Sequence, residues 1–280
     1  MKKIIYFIKL SRPLNTLIAG FAMVVASAIL NNLNDLTIVT ITALIVMAYT
    51  AGANSLNDAS DVSTDLVNRP DRPIPVGAIS QKSAIIFSFF LFSFGTILAL
   101  KLNNSAIVIS VFIAMPLMVI YSTHLKGKAL VGNLAVSIVI GLSFLFCGAA
   151  HDKINPMWLP AILSFCLTFL RELVKDIADL KGDLSNGLAT FPIMAGVHRS
   201  SQLIIFLSFS IGLLVIWPFF NKIYGFWYGF IVFIGVEIPL AIVVGLFISN
   251  PGIKSAIQAA KILKFSSLMG LIAIYLGFQL

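Results

Sequence analysis

The sequence predicts an all-α integral membrane protein built as a bundle of nine transmembrane helices. Hydrophobic residues make up 59% of the chain and charged residues only 11%, with a mean hydropathy of +1.01. An ordinary soluble domain carries about 25% charged residues. The loops add a second observation, because their basic residues fall almost entirely on alternate connections. A third is that most of the acidic residues gather in two short polar stretches.

Nine apolar stretches account for nearly the whole chain. A helix needs roughly 20 apolar residues to cross a bilayer, and each stretch comes close to that length. Little sequence is left for a separate soluble domain, so we expect one polytopic domain over residues 1–280. The predicted spans are residues 13–31, 36–56, 83–101, 104–122, 130–149, 156–175, 202–220, 224–248 and 264–280.

The charge of the loops predicts the orientation in the membrane. With nine spans, 16 of the 19 basic residues fall on one side, and only Lys101, Lys153 and Lys222 fall on the other. Lys and Arg favour the cytoplasmic side. We therefore expect a multi-pass protein of the cell membrane whose N-terminus is cytoplasmic. The net charge of +8 is explained by this bias, so we expect no nucleic-acid partner.

Two other sequence features have simple explanations. The basic N-terminus and the apolar run up to Ala26-Ser27-Ala28 resemble a cleavable signal peptide, which would leave eight spans. We expect the first span to be retained. Cys147 and Cys166 both lie in apolar spans and offer neither a disulfide framework nor a metal-binding spacing.

Two groups of acidic residues share one spacing at the cytoplasmic ends of the second and sixth predicted spans. The first Asp series comprises Asn57, Asp58, Asp61 and Asp65, and the second comprises Asp176, Asp179 and Asp183. Both read D-x2-D-x3-D and lie 118 residues apart, which suggests an internal duplication. Side chains at i, i+3 and i+7 share one helix face, where three like charges destabilise a helix unless they are neutralised.

The chemistry of these acids favours a hard divalent cation. Oxygen ligands without His or Cys suit Mg²⁺ or Ca²⁺ rather than zinc or copper, and Mg²⁺ commonly binds carboxylates together with substrate phosphates. We expect the two series to face each other and to hold Mg²⁺ around a diphosphate. An apolar bundle below them, with 23 Phe residues in the chain, would suit a hydrocarbon tail. An isoprenyl diphosphate donor has both parts.

Several segments resemble the UbiA superfamily of intramembrane prenyltransferases. "NDASDVSTD" fits its NDxxDxxxD motif and "DIADLKGD" fits its second DxxDxxxD motif. The resemblance extends over nearly the whole chain through "RPLN", "NRPDRPIPVGAIS", "YSTHLKG", "GN" and "LATFPIMAG". It implies nine helices with a cytoplasmic Asp-rich cap over a central lipid-accessible cavity, and Mg²⁺ held through both motifs.

The resemblance also implies roles for individual residues. The metal ligands are expected to be Asn57, Asp58, Asp61, Asp65, Asp176, Asp179 and Asp183, with catalytic roles for Asp61, Asp179 and Asp183. Apart from the resemblance, the basic residues of the predicted cytoplasmic layer are expected to bind substrate phosphates, and these are Arg69, Arg72, Lys126, Lys175 and Arg199. The family match adds Asn15, and Tyr121, at the cytoplasmic end of the fourth span, is a further expected substrate contact. His124 and His198 are not expected to act as bases. Glu237, in the eighth span, is a weaker candidate for function.

The acceptor is less well defined by the sequence. "NRPDRPIPVGAIS" and "RELVKDIADLKGD" most resemble the members that add a geranylgeranyl group to geranylgeranylglyceryl phosphate in ether-lipid biosynthesis. An aromatic or tetrapyrrole acceptor, of the quinone or chlorophyll type, is the alternative within the superfamily. A membrane transporter is the non-enzymatic alternative, although transporter sites usually lie near the bilayer midplane and these acids lie at one surface.

Overall fold

The computed structural model of this chain describes residues 2–279. Within this part the elements are helices, apart from an isolated bridge between Lys128 and Ala189. The helices are α1 (Lys2–Leu10), α2 (Pro13–Ile29), α3 (Leu36–Ser60), α4 (Val62–Asn68), α5 (Gln81–Ala99), α6 (Asn104–Leu125), α7 (Val131–Ala150), α8 (Trp158–Ala178), α9 (Leu180–Ser185), α10 (Phe191–Phe220), α11 (Phe226–Ser249) and α12 (Ile253–Gln279). Helix α6 includes π-helical segments at Val108–Ala114 and Tyr121–Leu125.

Eight helices among the described residues are long and apolar enough to cross a membrane. They are α3, α5, α6, α7, α8, α10, α11 and α12. Helices α1 and α2 meet the same criteria only as a pair bent by 52°, which would make a ninth span. The chain is therefore a multi-pass membrane protein, and each predicted span overlaps a helix. The predicted end of the last span, Leu280, lies outside the described residues.

Two predicted span starts are wrong. Helix α12 begins at Ile253 rather than at residue 264, because Ala256, Ala259 and Leu263 form a buried face although Lys254 interrupts the apolar composition. Helix α10 begins at Phe191 rather than at residue 202. A backbone break at Gly196 (φ 84°, ψ 157°) divides it, a conformation that glycine adopts without the penalty of a β-carbon.

One compact unit comprises the residues up to Lys126 together with Leu142–Trp158. In this unit α3 packs against α2 and α5. A small apolar cluster gathers the end of α1, the end of α3 and the loop before α5, through Leu10, Ala59, Ile74, Ile79 and Ala84. These contacts fix the polar loop that follows α3 in place, which matters for the site described below.

The second compact unit comprises Gly127–Gly141 and the chain from Leu159 onward. Here α11 packs against α10 and α12. Glu237 ends a π-helical segment of α11, Phe233–Glu237, and its carboxylate lies where a β-carbon on Gly212 would approach Oε2 to 2.9 Å. Glu237 Oε1 is buried without a hydrogen-bond partner among the described atoms. Glu237 lies more than 50 residues after the second Asp series in the chain. Its role stays unassigned.

A buried histidine that follows α7, His151, contacts the last turn of α2 and the loop after it. His151 Nε2 lies 2.9 Å from Ser27 Oγ, and Asn32 Nδ2 lies 3.2 Å from His151 Nδ1. Lys153 Nζ donates to Asn32 Oδ1 at 2.8 Å, which turns the amide nitrogen toward the ring. Nδ1 must then accept a hydrogen bond, so the ring is neutral with its proton on Nε2.

The environment of His151 makes the fold sensitive to acid. Burial lowers the pKa of His151, Asp35 and Asp152 oppose this shift, and Lys153 reinforces it. Below the ordinary value of 6.5 the unfolded chain therefore binds a proton that the folded chain resists. Stability falls as the pH decreases through this value and levels off below the pKa of the folded state.

We predict that acidification from about pH 7.5 to pH 5 lowers the thermal unfolding temperature of the detergent-solubilised protein, and that His151→Gln reduces this dependence by removing the titrating ring. Thermal melts at a series of pH values measure the effect. His198→Gln, which alters an exposed histidine, serves as the control and should follow the wild type. Equal pH dependence in both variants would contradict the assignment.

Candidate functional site

The first Asp series lies where helix α3 gives way to the short helix α4. Its aspartates are buried: Asp58 is 2% exposed, Asp61 is 7% exposed and Asp65 is 2% exposed. Burial of ionised carboxylates is costly unless cations or hydrogen-bond donors compensate. The site is therefore defined by the groups that neutralise these acids.

The sequence predicted that each Asp series lies on one uninterrupted helix, and this prediction is wrong. The helical path breaks at the middle aspartate, at Asp61 (φ −97°, ψ 12°) and at Asp179 (φ −92°, ψ 3°). The amide of Asp65 still donates to the carbonyl of Asp61 at 2.8 Å, and that of Asp183 to Asp179 at 3.1 Å. Aspartate favours such helix junctions, because its side chain competes with the backbone in helix interiors. Both series share this local geometry.

Three cationic side chains contact the first series. One nitrogen of Arg72, Nη1, donates to Asp58 Oδ1 at 2.9 Å and to Asp65 Oδ2 at 2.5 Å. Arg12 also pairs with Asp58, and Lys126 pairs with Asp61. Because a single guanidinium nitrogen reaches both Asp58 and Asp65, these two carboxylates lie side by side, as their i, i+7 spacing predicted.

Arg12 is a contact that the sequence analysis did not predict. It lies at the bend between α1 and α2, in the left-handed backbone region (φ 50°, ψ 70°). Asn54 Nδ2 and Thr16 Oγ1 both donate to the carbonyl of Ser11, at 3.2 and 2.7 Å. A non-glycine residue in this region costs about 1 kcal/mol or more. These hydrogen bonds hold the bend against α3 and present Arg12 to Asp58.

Arg72 is positioned by the loop between α4 and α5. Ile74 and Ile79 anchor the loop in the apolar cluster, and Gln81 Nε2 donates to the carbonyl of Ala59 at 2.8 Å. The amide of Val76 donates to the carbonyl of Arg72 at 3.1 Å, closing a turn. The segment "NRPDRPIPVGAIS" thus forms a compact, anchored loop that positions the guanidinium of Arg72 against the first Asp series.

Electrostatics within the first series reflect both burial and crowding. Burial raises the pKa of Asp65, and the ion pair and hydrogen bond with Arg72 oppose that shift. The neighbouring charges of Asp61 and Asp58 raise the pKa of Asp65 further. The pKa of Asp65 is therefore raised even with Arg72 in contact.

The second Asp series has different partners. Asn133, in the first turn of α7, donates through Nδ2 to Asp176 Oδ2 at 2.9 Å. Lys175, expected to bind substrate, donates to the buried carboxylate of Glu172 at 2.6 and 2.9 Å. Asp183 is buried, and Asp179 is partly buried. Sequence reasoning missed Asn133 and Glu172 as neighbours of this series.

The remaining predicted substrate-binding residues occupy varied positions. Asn15 is partly buried in the first turn of α2, and Arg69 is partly buried at the end of α4. Tyr121 begins the second π-helical segment of α6, and its backbone carbonyl accepts a hydrogen bond from the amide of Lys126 at 2.9 Å. Arg199 is exposed on α10. The structure therefore brings Arg72 and Lys126 to the first series. The substrate-binding roles of all seven residues stay predictions.

The donor set suits a hard cation. Within residues 2–279, no three His, Cys, Asp or Glu side chains are placed to hold a metal by themselves. In the first series the carboxylates instead contact Arg12, Arg72 and Lys126. The amide oxygen of Asn57 is buried and has no hydrogen-bond partner. A buried carbonyl oxygen without a hydrogen-bond partner is a suitable ligand for Mg²⁺ or Ca²⁺.

Structural features recur at the spacing of the two Asp series. Arg12 and Leu130 are 118 residues apart, precede α2 and α7, and both have positive φ, 50° and 61°. Asn15 and Asn133 have the same separation and lie in the first turns of those helices. The internal duplication itself stays a prediction.

Comparison with known proteins gives a consistent result. The sequence profile of the UbiA prenyltransferase family matches residues 14–268. Digeranylgeranylglyceryl phosphate synthase of Methanopyrus kandleri is 32% identical over 270 residues, which cover 95% of this chain and 97% of that protein.

Solved structures agree with the family match. A structure from work on the biosynthesis of digeranylgeranylglyceryl phosphate synthase in membranes matches with a TM-score of 0.78 and 28% identity, covering 99% of each chain. A UbiA homologue from Archaeoglobus fulgidus, bound to GPP and Mg²⁺, matches with a TM-score of 0.66 and 15% identity, covering 96% of this chain and 99% of its own. The second match shows the fold alone.

We predict that Arg72→Gln destabilises the protein by about 3 kcal/mol, because removing one partner of a buried ion pair leaves the other charge uncompensated. Asp58 and Asp65 would both lose the same guanidinium. Thermal or denaturant unfolding in detergent measures the change. Lys82→Gln alters an exposed residue nearby and should be neutral; equal stability of the two variants would contradict the pairing.

Proposed function

Because this chain belongs to the UbiA prenyltransferase family, we propose that it transfers a geranylgeranyl group from geranylgeranyl diphosphate to geranylgeranylglyceryl phosphate in ether-lipid biosynthesis, with Mg²⁺ as cofactor. The observation that carries the proposal is the cluster of buried carboxylates at the end of α3, with three basic side chains on it. Such a site suits a metal-bound anion of high charge, and a prenyl diphosphate is one.

The residues of both Asp series are assigned to Mg²⁺. The proposed ligands are Asn57, Asp58, Asp61, Asp65, Asp176, Asp179 and Asp183. The exposed position of Asp71 and its place outside the repeated spacing exclude it from this set. When bound, the cation supplies neutralisation of the diphosphate charge, which makes diphosphate a better leaving group. The orphaned oxygen of Asn57 supports the first set of ligands.

Basic side chains of the first unit are proposed to bind the donor diphosphate. Arg72 and Lys126 contact the assigned metal ligands directly. Guanidinium and ammonium groups form charge-assisted hydrogen bonds with phosphate oxygens. Arg12 extends the same group through Asp58. Asn15, Arg69 and Tyr121 remain proposed substrate-binding residues on the strength of their positions in the family motifs. Arg199 remains one as a basic residue of the predicted cytoplasmic layer.

The reaction exchanges one carbon–oxygen bond for another. The bond between C1 of the geranylgeranyl group and the diphosphate breaks, and its electron pair leaves with the diphosphate. The free hydroxyl oxygen of the acceptor forms a new ether bond to C1 and loses its proton. A carboxylate of the Asp series or water can accept that proton, and Asp61, Asp179 and Asp183 are proposed for this chemistry.

The choice of acceptor depends on the relatives rather than on the Asp series. Digeranylgeranylglyceryl phosphate synthase of Methanopyrus kandleri aligns over nearly its whole length, and an enzyme of that name uses a glyceryl phosphate lipid. An aromatic or tetrapyrrole acceptor is the alternative. The donor and acceptor are both amphiphilic, so the chain would work within the lipid bilayer.

We further propose the membrane arrangement that this activity requires. The nine spans include the bent α1–α2 pair, the N-terminus is cytoplasmic, and the protein resides in the cell membrane. Residues 1–280 act as one prenyltransferase domain, whose Asp-rich cap covers a lipid-accessible cavity. The strong bias of basic residues to one side of the membrane supports the orientation.

We predict that Asp61→Ala and Asp179→Ala each lower the rate of prenyl transfer by at least about 100-fold, because each removes a proposed ligand of the cation that neutralises the departing diphosphate. Initial rates on purified protein, with membrane insertion checked by fractionation, provide the measurement. Asp71→Ala is the matched control and should retain the wild-type rate. Wild-type rates for either motif variant would remove that residue from the site.

We predict that membranes containing the protein convert labelled geranylgeranyl diphosphate and geranylgeranylglyceryl phosphate to an extractable double ether, and that chelation by EDTA abolishes this. Product analysis by mass spectrometry measures the outcome. Products from hydroxybenzoate, naphthoate or chlorophyllide instead would favour the alternative acceptors. Full turnover in EDTA would exclude a metal-dependent mechanism, and solute uptake into vesicles without any product would favour a transporter.

A further inference from the structure

Helix α1 carries an apolar face that the rest of the protein does not cover. Ile4, Ile5 and Ile8 are each more than half exposed. Positions i, i+1 and i+4 of a helix fall within an arc of about 100°, so the three side chains form one surface. The part of the chain that the structure describes leaves this isoleucine face open.

The opposite face of α1 is packed against the protein. Leu10 is buried in the apolar cluster at the end of α3, and Tyr6 and Phe7 pack against the same cluster. The rings of Phe7 and Phe87 lie 5.0 Å apart at an angle of 59°. The cluster includes Ala59, the neighbour of Asp58 in the chain. Helix α1 is therefore fixed beside the first Asp series.

Helix α1 does not have to cross the membrane. It meets α2 at a bend of 52°. Helix α2 alone has 17 residues, which extend about 26 Å at 1.5 Å per residue, close to the roughly 30 Å of a hydrocarbon core. Lys3, Lys9 and Arg12 would be costly inside that core. Helix α2 can therefore form the span and leave α1 at the membrane surface.

The charge of α1 favours an anionic partner. Its sequence, KKIIYFIKL, contains three lysines and no acidic residue. Lys3 and Lys9 are exposed, and neither forms a salt bridge with a described residue. Lys9 Nζ lies 5.6 Å from the centre of the Tyr6 ring. Lysine and tyrosine beside an apolar face are typical of a helix in the lipid headgroup layer, where ammonium groups reach phosphates while carbon chains stay in the apolar layer.

We propose that α1 is an interfacial anchor: Ile4, Ile5 and Ile8 insert among lipid acyl chains, and Lys3 and Lys9 bind the headgroups of anionic phospholipids. A lipid is a better occupant than a protein, because three side chains are far fewer than the roughly 20 residues that a stable protein interface uses on each side. Lipid is also at hand, since α2 enters the bilayer directly after α1.

The anchor would also serve the site. Arg12 follows α1 by two residues and pairs with Asp58 from the bend. The apolar cluster that holds α1 also holds Ile74 and Ile79, in the loop that presents Arg72. Attachment of α1 to the membrane surface therefore fixes the position of both arginines relative to the lipid. The inference concerns this attachment and does not depend on the proposed reaction.

The depth of α1 can be measured with a tryptophan in place of Ile5. The protein is reconstituted in vesicles, and the signal of the three native tryptophans, Trp158, Trp217 and Trp227, is subtracted with the wild type. Ile5→Trp should be quenched more by phospholipids brominated near the headgroup than by those brominated near the chain ends, because an interfacial helix is buried only about 5–10 Å. Phe21→Trp, at an exposed position within α2, should show the reverse order.

The headgroup preference can be measured with the same tryptophan at Ile5. In mixtures of brominated phosphatidylcholine with phosphatidylglycerol, preferential binding of phosphatidylglycerol displaces the brominated lipid and relieves quenching. Adding Lys3→Gln and Lys9→Gln should lower the relative affinity for phosphatidylglycerol by about fivefold for each lysine removed. The matched pair Lys254→Gln and Lys261→Gln, exposed lysines of α12, should leave it unchanged. High salt should weaken the preference of the parent protein.

Three results would overturn the inference. Absence of quenching at Ile5→Trp by either lipid would place the isoleucine face in water or against another protein, and stronger quenching by the deep bromines would make α1 part of the span. Equal affinity for the two headgroups in the parent protein would exclude an anionic lipid site. Neither measurement uses prenyl transfer, so an inactive protein would refute the proposed function and leave the position of α1 to be decided by these results.

Discussion

The need to neutralise buried carboxylates in an apolar chain governs the first half of this protein. Asp58, Asp61 and Asp65 are nearly inaccessible to solvent, and three such charges could not remain ionised without cations close by. The left-handed bend at Arg12 and the compact loop that presents Arg72 both serve this requirement. The surrounding fold is shaped by the site, and its strained backbone lies where the site needs a charge.

The sequence predicted the membrane spans well, because they depend on local composition. Apolar stretches of sufficient length identify spans whatever the tertiary structure. The spacing of Asp58 and Asp65 predicted side-by-side carboxylates, and the shared Arg72 contact confirms it. Arg72 and Lys126 were predicted to bind substrate, and the structure places both against the first Asp series; their substrate-binding role stays a prediction.

Other features depended on contacts that local sequence does not encode. The role of Arg12 follows from a backbone bend that Asn54 and Thr16 hold through Ser11, and proline at the start of α2 is its only sequence signal. The start of α12 was missed because its first turns are recognised by their buried face, Ala256, Ala259 and Leu263. Composition alone does not reveal that face. The pairing of Lys175 with Glu172 was missed because Asp179, four residues after Lys175, is as well placed on the helix surface to pair with it.

The two Asp series share their carboxylates but not their cations. At a separation of 118 residues, the positions of Arg12, Arg72 and Lys126 are occupied by Leu130, Thr190 and Val244. Conversely, Arg171, Glu172 and Lys175 correspond to Ala53, Asn54 and Asn57. If one ancestral unit was duplicated, both copies kept the acids but differ in their basic residues. In the first copy the basic side chains pair with the Asp series itself. In the second copy, Arg171 and Lys175 pair with a separate carboxylate, that of Glu172. This difference between the two halves would allow an enzyme to distinguish two anionic substrates, because identical halves would bind both substrates alike. A symmetric pair of metal sites could hold a diphosphate, but it could not by itself distinguish the diphosphate donor from a phosphate-bearing acceptor.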